Sequence, residues 1–169
     1  MALDVTVGGV DSNSYIDVMD ADIYAMERGY KSWNNLDNSA KVAALINSAQ
    51  YIDDTYGNRF VGKRTTQKQN LCFPRIINQQ LEAQSVSDNE IPKRIKYAQI
   101  ELALSYIEND NSFFGGIDNI GVKSYSNTVG TIMESKTFSS SSNGFETFNA
   151  RANKFLYPFL NNSLAVKRC

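Results

Sequence analysis

The sequence contains no histidine, so it lacks the side chain most often used for acid–base catalysis near neutral pH. Serine–histidine and cysteine–histidine dyads are therefore impossible, and zinc and iron sites lose their commonest ligand. Cysteine is also scarce: there are two, Cys72 and Cys169, with no CxxC spacing. We therefore predict that the protein is not an enzyme, binds no metal or cofactor, and keeps both thiols reduced.

A basic excess and a long apolar run are also missing. Lysine and arginine number 17 against 18 aspartate and glutamate, which gives a formal net charge of −1. General polyanion binders usually carry a clear basic excess, so any contact with nucleic acid must come from a local patch. No apolar stretch is long enough to cross a bilayer, and residues 1–14 lack the basic and apolar regions of a signal peptide. These absences predict a soluble protein made in the cytoplasm.

What the chain does contain is enough apolar sequence for a real core, since 42% of its 169 residues are hydrophobic. Apolar residues recur at three- and four-residue steps over two long segments, which predicts amphipathic helices. We predict helices at about 18–28, 38–55 and 92–107, and a last helix at 145–160 that Pro158 kinks or ends. β-branched residues with partial alternation predict a β-hairpin between 120 and 138.

These elements predict a mainly α fold: a compact bundle of about four helices with a projecting β-hairpin and an extended C-terminal tail. We expect one domain over 1–169, with a helical core at 1–110 and a tail at 161–169. Helices 38–55 and 92–107 should pack against each other. The predicted contact residues are Leu45, Ile46, Ala49, Ile52, Ala98, Leu102 and Tyr106.

The acidic residues give no strong sign of chemistry. Asp53 and Asp54 are adjacent on a predicted helix and point in different directions, which is more typical of a solvated face than of a catalytic pair. The runs "DVMDAD" and "NDNSFFGG" lack the spacing or the closing carboxylate of a calcium loop. We interpret the first as a helix start, with Asp17 as the cap, and the second as a turn.

The stretch "YGNRFVGKR", residues 56–64, has part of the spacing of a phosphate-binding loop. Gly57 and the Gly62–Lys63 pair stand at the distance of a Walker motif, but Arg64 occupies the place of the magnesium-binding hydroxyl. A Walker loop also leaves a strand and enters a helix, whereas this stretch follows a helix. A nucleotide site is therefore disfavoured.

A contact with nucleic acid is more plausible than a nucleotide site, because basic and aromatic residues alternate in this region, although the residues alone favour the competing interpretation given below. Basic groups bind phosphates, and exposed aromatic rings stack on bases. The competing interpretation is that Phe60 and Phe73 anchor a surface loop on the core while the basic groups face solvent. The candidate residues for a subunit interface or a DNA channel are Arg59, Phe60, Lys63, Arg64, Phe73 and Arg75, with Lys68 nearby.

The order of several blocks resembles a known family. They are "NSYIDVMDADIYAMERG", "KSWNNLDNSAKVAALINSAQYID", "YGNRFVGKRTTQKQNLCFPR", "IPKRIKYAQIELAL", "VKSYSNTVGTI" and "FLYPFL". The series is similar to the tailed-bacteriophage head–tail adaptors, also called connectors or head-completion proteins, and to sequences labelled DnaT-like single-stranded-DNA-binding proteins. "CFPR" departs from the family pattern, which has tryptophan before Pro-Arg, and residues 76–89 are longer and more polar than the family suggests.

The resemblance implies a structural virion protein in the neck of the particle, assembled in the host cytoplasm. It would form a ring of about twelve copies between the portal and tail proteins. Double-stranded DNA would pass through the ring without sequence-specific contacts, and no membrane would be involved. The resemblance also implies that the tail docks on the portal, through Leu164, Val166, Lys167 and Arg168. The alternative hypotheses are a DnaT-like single-stranded-DNA-binding module and, less favoured, a helical enzyme or regulator of unknown type.

Overall fold

The computed structural model describes residues 2–77, 87–108, 124–129, 132–137 and 149–161. The described residues form five α-helices: α1 Val18–Glu27, α2 Lys31–Asn34, α3 Asn38–Tyr56, α4 Lys93–Glu108 and α5 Ala150–Leu156. They also form two short strands, β1 Lys63–Arg64 and β2 Arg75–Ile76, and a hairpin of β3 Ser124–Val129 and β4 Ile132–Thr137. The predicted mainly α class with an antiparallel hairpin is confirmed.

The first helix begins and ends where its sequence predicts. The carboxylate of Asp17 accepts a hydrogen bond from the backbone N–H of Asp20 at 2.7 Å and caps the N-terminus. At the other end Gly29 has a φ of +69°. The Gly29 N–H binds the Met26 carbonyl at 3.1 Å and the Tyr30 N–H binds the Ala25 carbonyl at 2.9 Å, which is a Schellman motif. This turn directs the chain into α2, which buries Trp33.

Helices α3 and α4 form the centre of the bundle, as predicted. Leu45, Ala49, Ile52, Ala98 and Leu102 are all buried. The other two predicted contact residues, Ile46 and Tyr106, are half-buried.

The core consists of two apolar clusters. The first cluster joins α3 and α4 to α5 and to residues 60 and 71–73. The second cluster joins α1 and Trp33 to other residues of α3 and α4. Gln99 of α4 is fully buried, and its amide donates to the Ser14 hydroxyl at 2.7 Å and to the Leu45 carbonyl at 2.8 Å. The hydrogen bonds satisfy a polar group that is costly to bury unpaired.

The C-terminal helix is shorter than the predicted 145–160. It begins at Ala150, because the side chain of Asn149 caps it by accepting from the N–H groups of Arg151 and Ala152. After Leu156 the chain tightens into a 3₁₀ turn, Tyr157–Phe159, which contains Pro158. The predicted tail at 161–169, with its proposed portal-docking residues Leu164, Val166, Lys167 and Arg168, lies outside the described residues apart from Asn161.

The end of this helical segment pairs with the loop after α3. Leu160 forms an antiparallel bridge with Phe60. The Val61 N–H donates to the Phe159 carbonyl at 2.9 Å, and the Asn161 N–H donates to the Arg59 carbonyl at 2.7 Å. The stretch at 56–64 is therefore fixed at one end by backbone pairing with residues 159–161.

Candidate nucleic-acid interface

The loop from Gly57 to Ile76 is held in a fixed shape by short-range backbone contacts. β1 pairs with β2 in antiparallel register, with Lys63 opposite Ile76 and Arg64 opposite Arg75. Gly62 has a φ of +76°, and a Cβ atom at this position would lie 2.2 Å from the Ile76 carbonyl oxygen. Glycine is therefore required here for backbone conformation and for space, rather than for cradling a phosphate.

Arg75 is the residue that organises this loop from inside. It is buried, and its guanidinium donates to four backbone carbonyls, those of Phe60, Val61, Gly62 and Cys72, at 3.2, 2.9, 2.7 and 3.3 Å. Burial lowers the pKa of Arg75 from its usual value. Its donors are used inside the protein, so its burial argues against the prediction that places Arg75 at a DNA channel or subunit interface.

Phe60 and Phe73 are also core residues. Phe60 is 5% exposed and Phe73 is 1% exposed. Their ring centroids lie 4.9 Å apart in an edge-on arrangement, and Phe73 meets Phe159 in the same way at 5.6 Å. Neither ring is available to stack on a base, so the interpretation that both anchor the loop on the core is the correct one. Each ring buries a large apolar area and so stabilises the first apolar cluster.

The other three candidates of this region lie nearer the surface. Lys63 and Arg64 are exposed and Arg59 is half-buried. The Arg64 guanidinium donates to the Gln69 carbonyl at 3.4 Å and approaches the Cys72 sulfur at 3.5 Å. Arg59 lies over the ring of Tyr56 at 5.8 Å. Within the described residues of this loop the cations lie near the surface, whereas the rings of Phe60 and Phe73 are buried.

Beneath this loop Asp53 takes part in a buried polar cluster, which corrects the prediction of a solvated face. Its carboxylate accepts hydrogen bonds from the Tyr15 hydroxyl and from the Cys72 N–H, the latter at 2.8 Å. Burial raises the pKa of the Asp53 carboxyl above its usual 3.8, and it raises the pKa of the Cys72 thiol as well. Only Asp54 is exposed. The cluster joins α3 to the loop and to residue 15, and so has a structural role.

A second surface combines exposed cations with accessible aromatic rings. On α5, Arg151 and Lys154 are exposed three residues apart, and Tyr157 follows at 61% exposure. Phe155 and Tyr97 are half-buried, and their ring centroids lie 5.8 Å apart. We call the set Arg28, Tyr97, Arg151, Lys154, Phe155 and Tyr157 the cationic–aromatic face.

The C-terminal end of α1 completes this face. The Arg28 guanidinium carbon lies 3.6 Å from the ring centroid of Tyr24 and 5.6 Å from that of Tyr97. A cation placed over aromatic rings in this way is attracted by their π faces. Three helices, α1, α4 and α5, therefore each contribute to one surface.

A buried carboxylate fixes the position of this face. Glu101 of α4 accepts hydrogen bonds from the hydroxyls of Tyr24 and Tyr30 at 2.6 and 3.1 Å. Arg151 lies 3.5 Å from the same carboxylate, and its own side chain is 60% exposed while that of Glu101 is 5% exposed. Burial, followed by the effect of Glu101, raises the pKa of Tyr24 and Tyr30. The arrangement holds Arg151 on α5 against α1 and α4.

The cationic–aromatic face does not follow from the sequence alone, and the reason is identifiable. The stretch "RANKFLYP" has cations three residues apart beside two aromatic residues, and this spacing is visible in the sequence. Its meaning depends on Arg28 and Tyr97, which the fold brings together from positions far apart along the chain. Local spacing alone does not reveal such a surface.

Among the residues that the structure describes, no group of three or more histidine, cysteine, aspartate or glutamate side chains is arranged to hold a metal ion. No helix in this part of the chain has the length and apolar character that would let it cross a membrane.

Comparison with known proteins gives one finding. The sequence model of the family described as "Putative DnaT-like ssDNA binding protein" matches residues 1–168. No curated protein and no solved structure gives a significant match.

Proposed function

The chain belongs to the DnaT-like single-stranded-DNA-binding family, and on that premise we propose that it binds single-stranded DNA through the cationic–aromatic face. The observation that carries the proposal is the exposure of Lys154 and Tyr157, which lie three residues apart on the C-terminal helical segment and are therefore neighbours on its surface. Cations attract the phosphates, and aromatic rings stack on unpaired bases without selecting among them. Binding through this face is therefore independent of sequence.

The net charge bears on the strength of this binding. A formal charge of −1 supplies no long-range attraction for a polyanion, so affinity depends on a few local contacts. Such contacts weaken steeply with salt, because each neutralised phosphate releases counterions. We expect measurable binding at low ionic strength and a preference for single-stranded over duplex DNA, since paired bases do not offer their faces to the rings.

The test is fluorescence anisotropy with a labelled oligothymidine at low salt. Tyr157→Ser should weaken binding about tenfold, because stacking on one ring is worth roughly 1–3 kcal/mol. Lys154→Glu should also weaken binding about tenfold, because it replaces a cation that attracts phosphate with an anion that repels it. Lys68→Glu is the matched control: it reverses an exposed charge on the 57–76 loop and should reduce affinity much less. If Lys68→Glu abolishes binding while Lys154→Glu leaves it unchanged, the interface lies on the loop instead.

A second candidate function is the structural one that the resemblance implies. In this candidate the protein is a head–tail adaptor of the virion neck, forming a ring that contacts portal and tail proteins. The observation that favours it is an exposed apolar stripe on α1, formed by Met19, Ile23 and Met26, which are 69%, 47% and 67% exposed. Apolar surface of this kind is typical of protein–protein contacts.

Native mass measurement separates the two candidates. An adaptor should form a closed ring, alone or when mixed with portal protein, and should not need single-stranded DNA to do so. A protein that remains a monomer with portal protein and binds oligothymidine supports the first candidate alone. Because the proposal contains no catalytic step, neither function should be accompanied by nucleotide hydrolysis.

A further inference from the structure

Arg151 belongs to the exposed cationic–aromatic face, yet its charge is coupled to a carboxylate inside the protein. Its side chain is 60% exposed, whereas the side chain of Glu101, 3.5 Å away, is 5% exposed. The negative charge of Glu101 raises the pKa of the Arg151 guanidinium above its usual value. A surface cation that could meet DNA is therefore paired with a buried anion.

Only one nitrogen of the Arg151 guanidinium takes part in this pairing. Within the described part of the chain, Nη1 donates to the Glu101 carboxylate at 3.5 Å and to the Tyr30 hydroxyl, while Nε and Nη2 have no partner. A guanidinium carries five N–H donors in one plane, and two of them along one edge match two oxygens of a phosphate. Arg151 therefore has an edge left for a phosphate while it remains paired with Glu101.

Neutral hydroxyl groups hold the Glu101 carboxylate in its place. Its Oε1 accepts from the Tyr24 hydroxyl at 2.6 Å and from the Tyr30 hydroxyl at 3.1 Å, and its Oε2 lies 3.3 Å from the Tyr30 hydroxyl. Both tyrosines stay uncharged near neutral pH, because burial and Glu101 raise their pKa values. The hydroxyls therefore fix the carboxylate without cancelling its charge, and among the described residues Arg151 is its ion-pair partner.

We propose that Arg151 binds a backbone phosphate of single-stranded DNA through its Nε–Nη2 edge, and that the charge of Glu101 limits the strength of this contact. The inference rests on the proposed function of the cationic–aromatic face. A phosphate that reaches Arg151 also lies in the field of Glu101, and two anions repel each other. Glu101 thus acts as a positioning residue that sets the affinity without touching the DNA.

Glu101 has two opposing effects on such a contact, and a glutamine at this position separates them. Its pairing with Arg151 fixes a flexible side chain, which favours phosphate binding, whereas its charge disfavours binding. Glutamine keeps one oxygen that accepts from Tyr24 and Tyr30, and its amide can donate to the Tyr30 oxygen where Oε2 lies now. Because the hydrogen bonds largely remain, the main change in Glu101→Gln is the loss of the negative charge.

The first experiment titrates labelled oligothymidine with the full chain carrying Glu101→Gln. We expect the affinity at low salt to rise about fivefold, since one unit charge near the phosphate is removed. The gain should shrink as salt concentration rises, because salt screens the repulsion. Asp53→Asn is the matched control: it removes one carboxylate beneath the 57–76 loop and should leave the affinity unchanged. Equal gains in both variants, or a Glu101→Gln variant that binds no more tightly than the parent, overturn the proposal.

A double variant tests whether Arg151 itself holds the phosphate. Arg151→Ala is introduced together with Glu101→Gln, so that no buried carboxylate is left without its cation, and urea denaturation checks that the variant is folded. We expect weaker binding than in Glu101→Gln alone, with a salt dependence whose slope is smaller in magnitude by about 0.7, the value for one phosphate contact on a single strand. Affinity and slope equal to those of Glu101→Gln alone overturn the proposal.

Arg151→Lys tests the phosphate contact while Glu101 stays as it is. Lysine keeps the charge, but its single ammonium group lacks a second planar edge for the phosphate, so we expect binding about threefold weaker than in the parent. Undiminished affinity overturns the proposal. If the parent protein binds no oligothymidine, the proposed function fails and this inference fails with it. If the parent binds and the variants at 101 and 151 do not behave as expected, this inference alone fails.

Discussion

At the scale of single residues, Arg75 stabilises the 57–76 loop, since its guanidinium donates hydrogen bonds to four backbone carbonyls. Removing it leaves buried acceptors without partners. A buried acceptor that loses its donor costs about 1–3 kcal/mol. In the sequence Arg75 has the appearance of a surface cation two residues after Phe73, and only its burial reveals the difference.

We predict that Arg75→Ala lowers the free energy of unfolding by about 3 kcal/mol or more. Arg75→Lys should recover part of this loss, because lysine keeps the charge but offers fewer donors in a different geometry. Urea denaturation followed by circular dichroism measures both. Lys68→Ala, on the surface of the same loop, is the control and should stay within about 0.5 kcal/mol of the parent. Equal effects at 68 and 75 would contradict the role given to Arg75.

Asp53 gives a prediction about pH. Burial raises the pKa of its carboxyl above the usual 3.8, so the folded state holds this proton more tightly than the unfolded state does. The contribution of Asp53 to stability therefore falls as pH rises from about 4 through the folded-state pKa, and then levels off. Asp53→Asn cannot titrate and should lack this decline.

The measurement is urea denaturation of both proteins between about pH 3 and pH 7. The free energy of unfolding of the parent, minus that of Asp53→Asn, should decrease over the lower part of this range and become constant above it. Subtracting the variant removes the titration of the other carboxylates, which both proteins share. A difference that increases with pH would show that hydrogen bonds from Tyr15 and Cys72 outweigh burial.

At the scale of elements, the helices with strong local signals were predicted within one or two residues. α1 and α3 carry aspartate caps, and the apolar period of α3 and α4 is unbroken, so neighbouring residues suffice to define them. The last helix was predicted five residues too early. Its start depends on Asn149, whose side chain also contacts α4, and this contact is not visible locally.

Asn149 therefore yields a prediction of its own. Its carbonyl oxygen caps α5, while its amide nitrogen donates to the Glu101 carbonyl at 2.9 Å and to the Ser105 hydroxyl at 2.6 Å. Asn149→Ala should lower the free energy of unfolding by about 2 kcal/mol, because it removes a cap and a link between helices. Asp37→Ala, at the exposed cap of α3, should cost about 1 kcal/mol. Chemical denaturation compares them, and a smaller cost at Asn149 would contradict the link.

At the scale of the whole molecule, the sequence predicted the fold class and the DnaT-like part of the family resemblance, whereas the head–tail adaptor role stays a prediction. The sequence misplaced the surface cations and rings. Phe60, Phe73 and Arg75 have the residue types of a nucleic-acid contact, and packing uses all three inside. The cationic–aromatic face is assembled from α1, α4 and α5, so no local pattern identifies it. Burial depends on which segments meet, and residue type and spacing do not determine that.

The most direct test of the central claim is the salt dependence of oligothymidine binding. For single strands the logarithm of affinity falls with the logarithm of salt concentration by about 0.7 for each phosphate that is neutralised. Lys154→Ala should reduce the magnitude of this slope by about 0.7, and Lys68→Ala should leave it unchanged. Absence of binding by the parent protein, or a slope reduced by Lys68→Ala and not by Lys154→Ala, would contradict binding through the cationic–aromatic face.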